Sequence, residues 1–232
     1  MNPLLELSLP QLYAHAVKVF RRGEGSRPQV ALIEVNGARA VLKDYSYSDP
    51  RFGRLVGPLL VWREALALTR LAGQRGVPRL LRRFGRNALL IEYLPGEAVK
   101  GMARGSLPGQ FFERFYRLVE EIHARGVAHC DLRSEGNVLV TASGEPCCVD
   151  FVAHLGRGAW WNPLQRWAYR RLCHADRVAV ARLKRTHQPQ LLSAEEQLWL
   201  ARDRNTLLER GARVLGRGIR DLSRRLLTRR GR

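Results

Sequence analysis

The sequence predicts an α+β protein in two lobes, a small antiparallel sheet with one helix over residues 1–94 and a mostly helical lobe over residues 95–232. Three observations carry this prediction. Short strand patterns separated by turn signals fill residues 13–43, Pro95-Gly96 interrupts the chain after two further apolar runs, and almost everything past Phe151 keeps helical spacing. With 232 residues, 45% hydrophobic and 26% charged, the chain can bury about two thirds of its unfolded surface, which excludes disordered, collagenous and coiled-coil classes.

The elements follow in chain order. Tyr13–Phe20, Val30–Val35 and Arg39–Lys43 have the composition of strands, and Asn36-Gly37 between the last two is a hairpin signal. The loop joining the first two strands contains Gly23-Glu24-Gly25. Helical periodicity runs over Leu59–Leu71, includes Glu64 and stops at Ala72-Gly73. Val77–Leu81 and Ala88–Tyr93 are short apolar runs ahead of Pro95-Gly96. Gln110–Ala124 returns to helical spacing through Phe111, Phe115, Leu118, Val119 and Ile122. Val138–Val140 and Cys147–Phe151 are strand patterns around Ser143-Gly144, so a hairpin follows directly on the polar segment His129–Asn137. A helix is predicted near Trp161–Leu172, and no internal repeat is visible.

The charge is unusual. Lys+Arg number 40 against 21 Asp+Glu, a net +19, and lysine occurs only at positions 18, 43, 100 and 184. Residues 151–232 alone carry +13. Such a field favours anionic partners: phosphates, an acidic membrane face or nucleic acid. Cys130, Cys147, Cys148 and Cys173 lack C-x-x-C spacing, so buried thiols in a reducing compartment are expected rather than a zinc site. No secretory signal pattern opens the chain, and no window approaches 18 consecutive apolar residues. A cytoplasmic protein is expected, free or peripheral on the inner face of the membrane.

Six features line up in one order: a Gly-x-Gly loop at Gly23 and Gly25, a strand lysine at Lys43, a helix glutamate at Glu64, an apolar run ending in Glu92-Tyr93-Leu94, His129-Cys130-Asp131 followed by Asn137, and Asp150-Phe151 after a strand. This order resembles the protein-kinase-like fold. The resemblance implies ATP and Mg²⁺ as cofactors and gives each residue a task. Gly23 and Gly25 belong to the phosphate loop. Lys43 holds the α/β-phosphates, Glu64 pairs with it, and the backbone around Glu92 and Leu94 bonds the adenine. Asp131 accepts or orients the proton of the attacking hydroxyl, Arg133 touches the transferring phosphate, and Asn137 and Asp150 hold the metal. His129 has a packing role in this scheme.

Departures from the protein-kinase pattern are informative. Asn137 lies six positions after Asp131 where the H-R-D-L-x-x-x-N signature has five, an insertion that Gly136 is suited to absorb as a bulge. Cys130 replaces the arginine that reads a phosphorylated activation loop, Val152 replaces the glycine of Asp-Phe-Gly, and no Ala-Pro-Glu follows. Regulation by activation-loop phosphorylation and a peptide-binding groove are therefore not expected. In compactness and in its D-L-R-x-x-x-N loop the chain is more similar to small bacterial kinases of the RIO and lipopolysaccharide-core-kinase kind. Those relatives imply a hydroxyl acceptor on a sugar, on a lipid-linked glycan such as lipopolysaccharide, or on a protein serine or threonine.

The resulting expectation is an ATP- and Mg²⁺-dependent phosphotransferase acting on an alcohol. Two alternatives stand beside it: a pseudokinase that binds nucleotide without transfer, and a basic scaffold on a membrane or on nucleic acid that has only inherited the fold. For the basic end, Leu208, Leu215, Ile219, Leu222 and Leu226 keep helical spacing among arginines, and Trp160, Trp161 and Trp167 fit interfacial anchors. The competing reading is a final helix docked on the second lobe. Nucleic acid ranks below a membrane because no nucleic-acid-binding motif is visible. Nothing in the sequence identifies the acceptor or the oligomeric state.

Overall fold

The computed structural model describes residues 3–202, so the leucine and arginine series beyond Leu208 lies outside the described residues. The chain divides into two units. One comprises residues 3–72 and 78–93, the other 73–77 and 94–202.

In the first unit, α1 (Leu9–Ala14) precedes β1 (Ala16–Arg21), β2 (Gln29–Val35) and β3 (Ala38–Asp44); α2 (Pro50–Leu55) and α3 (Gly57–Arg70) follow, then β4 (Leu80–Phe84) and β5 (Ala88–Glu92). The five strands form one sheet in the order β1-β2-β3-β5-β4 with every neighbour antiparallel. Asn36 and Gly37 take positive φ of 49° and 77°, the turn that matches strand twist in a two-residue hairpin and fixes Val35 opposite Ala38. Strand alternation then sends Ala40 and Leu42 into a core with Leu4, Leu12, Ala31, Ile33, Ala88 and Leu90. Lys43, one residue on from Leu42, falls on the opposite face of the sheet.

This unit has three helices rather than one. Ser8-Leu9-Pro10-Gln11 starts a helix where the apolar pattern from Tyr13 predicted a strand: the Gln11 side chain accepts from the Ser8 N–H at 2.8 Å, and Pro10 sits in the first turn. The strand starts only at Ala16 and is an exposed edge, so its alternation carried no burial signal. Asp49-Pro50 similarly opens α2, with the Asp49 carboxylate accepting from Arg51 N–H at 3.0 Å. The apolar run at Val77 is split, since Val77 is buried in the second unit and the strand starts at Leu80.

The second unit contains β6 (Glu97–Ala98), α4 (Gly109–Ala124), β7 (Val127–Ala128), β8 (Val138–Val140), β9 (Pro146–Cys148), β10 (Leu155–Gly156), α5 (Pro163–His187) and α6 (Ala194–Arg202). Helices carry most of its residues. The amphipathic α4 buries Phe111, Phe112, Phe115, Leu118, Val119 and Ile122 on one face. β9 stops at Cys148, short of the predicted Phe151, because Asp150 adopts a left-handed conformation and Phe151–Ala153 forms a 3₁₀ turn. The chain then pairs β10 with β7 and enters α5 at Pro163, which leaves only a short segment after Asp150. No helix among the described residues is long and apolar enough to cross a membrane.

Candidate active site

The first unit carries Gly23, Gly25, Lys43, Glu64 and Glu92 of the predicted site; the second carries Leu94, Asp131, Arg133, Asn137 and Asp150. In the first unit, Lys43 on β3 donates from Nζ to Glu64 Oε1 at 2.6 Å. Both groups are desolvated, with side chains 11% and 1% exposed. Glu64 lies among Leu60, Val61, Ala65 and Leu68 on the buried face of α3, a place where a carboxylate is costly unless paired with a cation.

The Gly-x-Gly segment is held down by its own unit. A Cβ on Gly23 would run into Tyr47 Cβ and stand 2.7 Å from its carbonyl oxygen. Gly25 C=O accepts from Asp49 N–H at 2.7 Å, and Ser48 donates to Arg27 C=O at 2.9 Å. Close packing thus accounts for the first glycine without a ligand. The Glu92 carboxylate accepts from the backbone N–H and from Nε of Arg79, each at 3.1 Å. The Glu92 N–H in turn donates to Arg79 C=O at 2.9 Å, so both the side chain and the N–H of Glu92 are engaged within the sheet.

In the second unit the polar segment is wired to the hairpin behind it. Asn137 Nδ2 donates to the Asp131 carbonyl at 3.1 Å and to Asp131 Oδ2 at 3.3 Å, so its Oδ1 is the atom available to a cation. Val138 pairs with Cys148, and Val149 N–H donates to Asn137 C=O at 2.9 Å. The segment from Asn137 to Asp150, thirteen positions apart, is therefore folded back on itself. Asp150 sits at φ 67°, ψ 67°, a strained conformation for a residue with a Cβ. Asp131 and Asn137 are each 8% exposed. The extra residue in the loop is taken up in the 3₁₀ turn Glu135–Asn137, and Gly136 is absent from the residues with positive φ, so a regular turn replaces the predicted glycine bulge. Arg133 is half-buried and lines a small crevice with Leu132, Leu172, Ala175 and Ala179 of the α5 side.

His129 is structural, as its position implied. Its Nε2 lies 3.1 Å from Val149 C=O and its ring packs on Phe151 at 4.5 Å, joining the two polar segments. The anchor that sequence reasoning missed is Asp176 on α5, 2% exposed. Its carboxylate accepts from the backbone N–H of His129 at 2.7 Å and of Cys130 at 2.9 Å, and lies 3.1 Å from His123 Nε2. These bonds hold Cys130 at φ 69° and so fix the backbone just before Asp131. Burial lowers the His123 pKa, but the Asp176 hydrogen bond and Cys173 outweigh it and hold the imidazole up at about 9. A signal existed: Asp176 falls at helical spacing with Tyr169, Leu172, Cys173 and Val180, an acid on an otherwise apolar face.

The donor set suits Mg²⁺. Asp150 offers carboxylate oxygens and Asn137 an amide oxygen, hard donors of the few-protein-ligand kind that this ion uses beside phosphates. The cysteines are unsuited to a soft metal or to nucleophilic work, being buried and free. Burial, helped by Glu145, pushes the Cys147 thiol up to about 11, and burial drives Cys148 well above its usual range.

No protein-family model matches the chain. The 3-deoxy-D-manno-octulosonic acid kinase of Xylella fastidiosa (strain M12) is 33% identical over 88 residues, which are 38% of this chain and 33% of that protein. The match thus spans about a third of the curated relative's length. The Rio2 kinase–ADP/Mg²⁺–phosphoaspartate complex from Chaetomium thermophilum superposes with a TM-score of 0.61 at 14% identity, covering 94% of this chain and 76% of that one. A second Rio2 kinase structure from the same organism gives 0.60 at 15% identity, covering 96% and 79%. The chain therefore has the protein-kinase-like fold, in a form that resembles Rio2 kinase in structure and, over part of its length, a sugar-acid kinase in sequence.

Proposed function

We propose that the chain is an ATP- and Mg²⁺-dependent kinase that phosphorylates a hydroxyl group, with a sugar acid as acceptor. The observation that carries the proposal is the buried Lys43–Glu64 ion pair, a costly arrangement whose use is to present a fixed ammonium to phosphate oxygens. Support for the acceptor comes from the partial likeness to the 3-deoxy-D-manno-octulosonic acid kinase, and for the nucleotide and metal from the ADP/Mg²⁺ named with Rio2 kinase.

In this reading Lys43, braced by Glu64, holds the α/β-phosphates. Asn137 through Oδ1 and Asp150 through its carboxylate hold Mg²⁺, which when bound neutralises charge on the phosphates. Asp131 orients the acceptor hydroxyl and takes its proton. The acceptor oxygen forms a bond to the γ-phosphorus, the bond from that phosphorus to the β–γ bridging oxygen breaks, and ADP leaves. Arg133 is assigned to the charge on the transferring group, and Asn137 Nδ2 keeps the Asp131 carboxylate in one orientation.

The test has two readouts. Thermal shift with ATP, with and without Mg²⁺, is expected to show a magnesium-dependent rise in the wild type that disappears in Asp150→Ala. Transfer of labelled γ-phosphate to 3-deoxy-D-manno-octulosonic acid is expected to vanish in Asp131→Ala while the thermal shift persists. Unchanged turnover in Asp131→Ala refutes the assignment of that residue. A thermal shift without transfer to the sugar acid or to any hydroxyl acceptor points instead to a pseudokinase.

A further inference from the structure

We propose that the start of α5 is a docking surface for an anionic lipid bilayer, with Trp160, Trp161, Leu164 and Trp167 entering the interface and an adjoining arginine cleft taking lipid phosphates. Three of the chain's five tryptophans fall within eight residues here. They are unusually bare: Trp160 is 84% exposed, Trp161 69% and Trp167 49%, and Leu164 is 72% exposed. Four large apolar side chains exposed within eight residues exceed the scattered single apolars of an ordinary surface, and tryptophan in particular favours the boundary between headgroups and acyl chains.

The chemistry beside the patch selects the occupant. Arg157, Arg166, Arg170 and Arg177 line an open cleft of about 560 Å³ together with Tyr169 and Glu120. Glu120 is consumed by Arg177, which it meets at 2.7 and 2.8 Å. Arg157, Arg166 and Arg170 have no carboxylate partner among the described residues. Arg157 is aimed by a bond to Ala124 C=O at 2.9 Å, and Arg166 by one to Trp160 C=O at 3.5 Å, which ties the cleft directly to the aromatic patch. From Phe151 to Ala175 there is no aspartate or glutamate. Trp167 and Arg170 are neighbours on the solvent face of α5, so apolar and cationic groups present together. A protein partner that covers bare tryptophans does not need a cleft of unmatched arginines, whereas a bilayer rich in anionic headgroups satisfies both. The proposal does not depend on the kinase reading.

The test is sedimentation of the full chain with phosphatidylglycerol-containing or pure phosphatidylcholine vesicles, with tryptophan quenching by brominated lipid as the reporter of depth. The chain is expected to bind the anionic vesicles, to leave the zwitterionic ones in solution, and to show quenching. Arg166→Gln with Arg170→Gln is expected to weaken partitioning about 30-fold, at about five-fold per arginine. Trp160→Ser with Trp161→Ser is expected to remove most of the quenching; these residues are solvent-exposed, so an unchanged melting temperature verifies the fold. Anionic-vesicle binding that neither variant alters overturns the proposal and moves the attachment elsewhere in the chain. It is equally overturned by equal binding to both vesicles, by an oligonucleotide that displaces the vesicles and quenches these tryptophans itself, or by a dimer in solution that buries them.

Discussion

Removing the Asp176 carboxylate should loosen the segment that carries Asp131, although Asp176 itself has no part in the proposed chemistry. Two backbone N–H groups, those of His129 and Cys130, lose their acceptor in Asp176→Ala, at about 1–3 kcal/mol each when left buried and unsatisfied. The His123 imidazolium also loses its nearer, buried counter-ion, with Glu120 remaining at 3.6 Å from Nδ1. Its rise from 6.5 to about 9 corresponds to about 3 kcal/mol of favourable interaction. The contributions overlap, and a net loss of about 4–6 kcal/mol is expected, comparable with the whole stability of many domains. Urea unfolding at pH 7 measures it, with the gentler Asp176→Asn retaining an oxygen for one of the two donors. The pH dependence follows from the direction of the shift. Because the folded pKa of His123 lies above the unfolded one, its contribution is fully present below about pH 6.5 and is lost as pH rises through about 9. The wild type should lose stability over that window, and His123→Gln should lose less. A cost below about 1 kcal/mol for Asp176→Ala, or identical pH profiles for wild type and His123→Gln, refutes the anchoring role.

Lys43→Met leaves the Glu64 carboxylate buried without its cation and should cost about 3–5 kcal/mol in thermal or urea unfolding, with part of the loss restored by Glu64→Leu in the same chain. Gly23→Ala should destabilise by about 1–3 kcal/mol because its Cβ meets the Tyr47 backbone, and calorimetry without any nucleotide detects this. Chelation by EDTA should erase the ATP-dependent thermal shift and leave the melting temperature of the nucleotide-free chain in place. A persistent shift argues against metal binding by Asn137 and Asp150.

Local chemistry made much of this protein legible in its sequence. Asn36-Gly37 dictates a tight hairpin because both positions tolerate positive φ, and that hairpin sets the register in which Leu42 enters the core while Lys43 takes the other face. The periodicity of Gln110–Ala124 likewise specified α4 to within a residue. Short elements were less legible. The helix at Leu9 and the one at Pro50 depend on single capping residues, which a search for apolar periodicity passes over. The end of β9 depends on the left-handed backbone of Asp150, for which its side chain gives no local sign.

The sequence by itself determined the residue types and their order: a lysine on the third strand, a helix glutamate, and Asp131, Asn137 and Asp150 at spacings that a hairpin can fold back. Only tertiary structure decided that Lys43 and Glu64 meet at 2.6 Å, since that contact joins residues twenty-one apart on different elements, and nothing short of packing specifies it. Tertiary structure also decided that Asp176, forty-six residues beyond Cys130, holds the segment before Asp131 in place. An acid in a helix acquires that role from the unpaired N–H groups that folding brings to it, because a buried donor must find an acceptor wherever the chain supplies one. The exposure of Trp160 and Trp161 was decided in the same way: composition placed the tryptophans in the chain, and the fold left them without a core to enter.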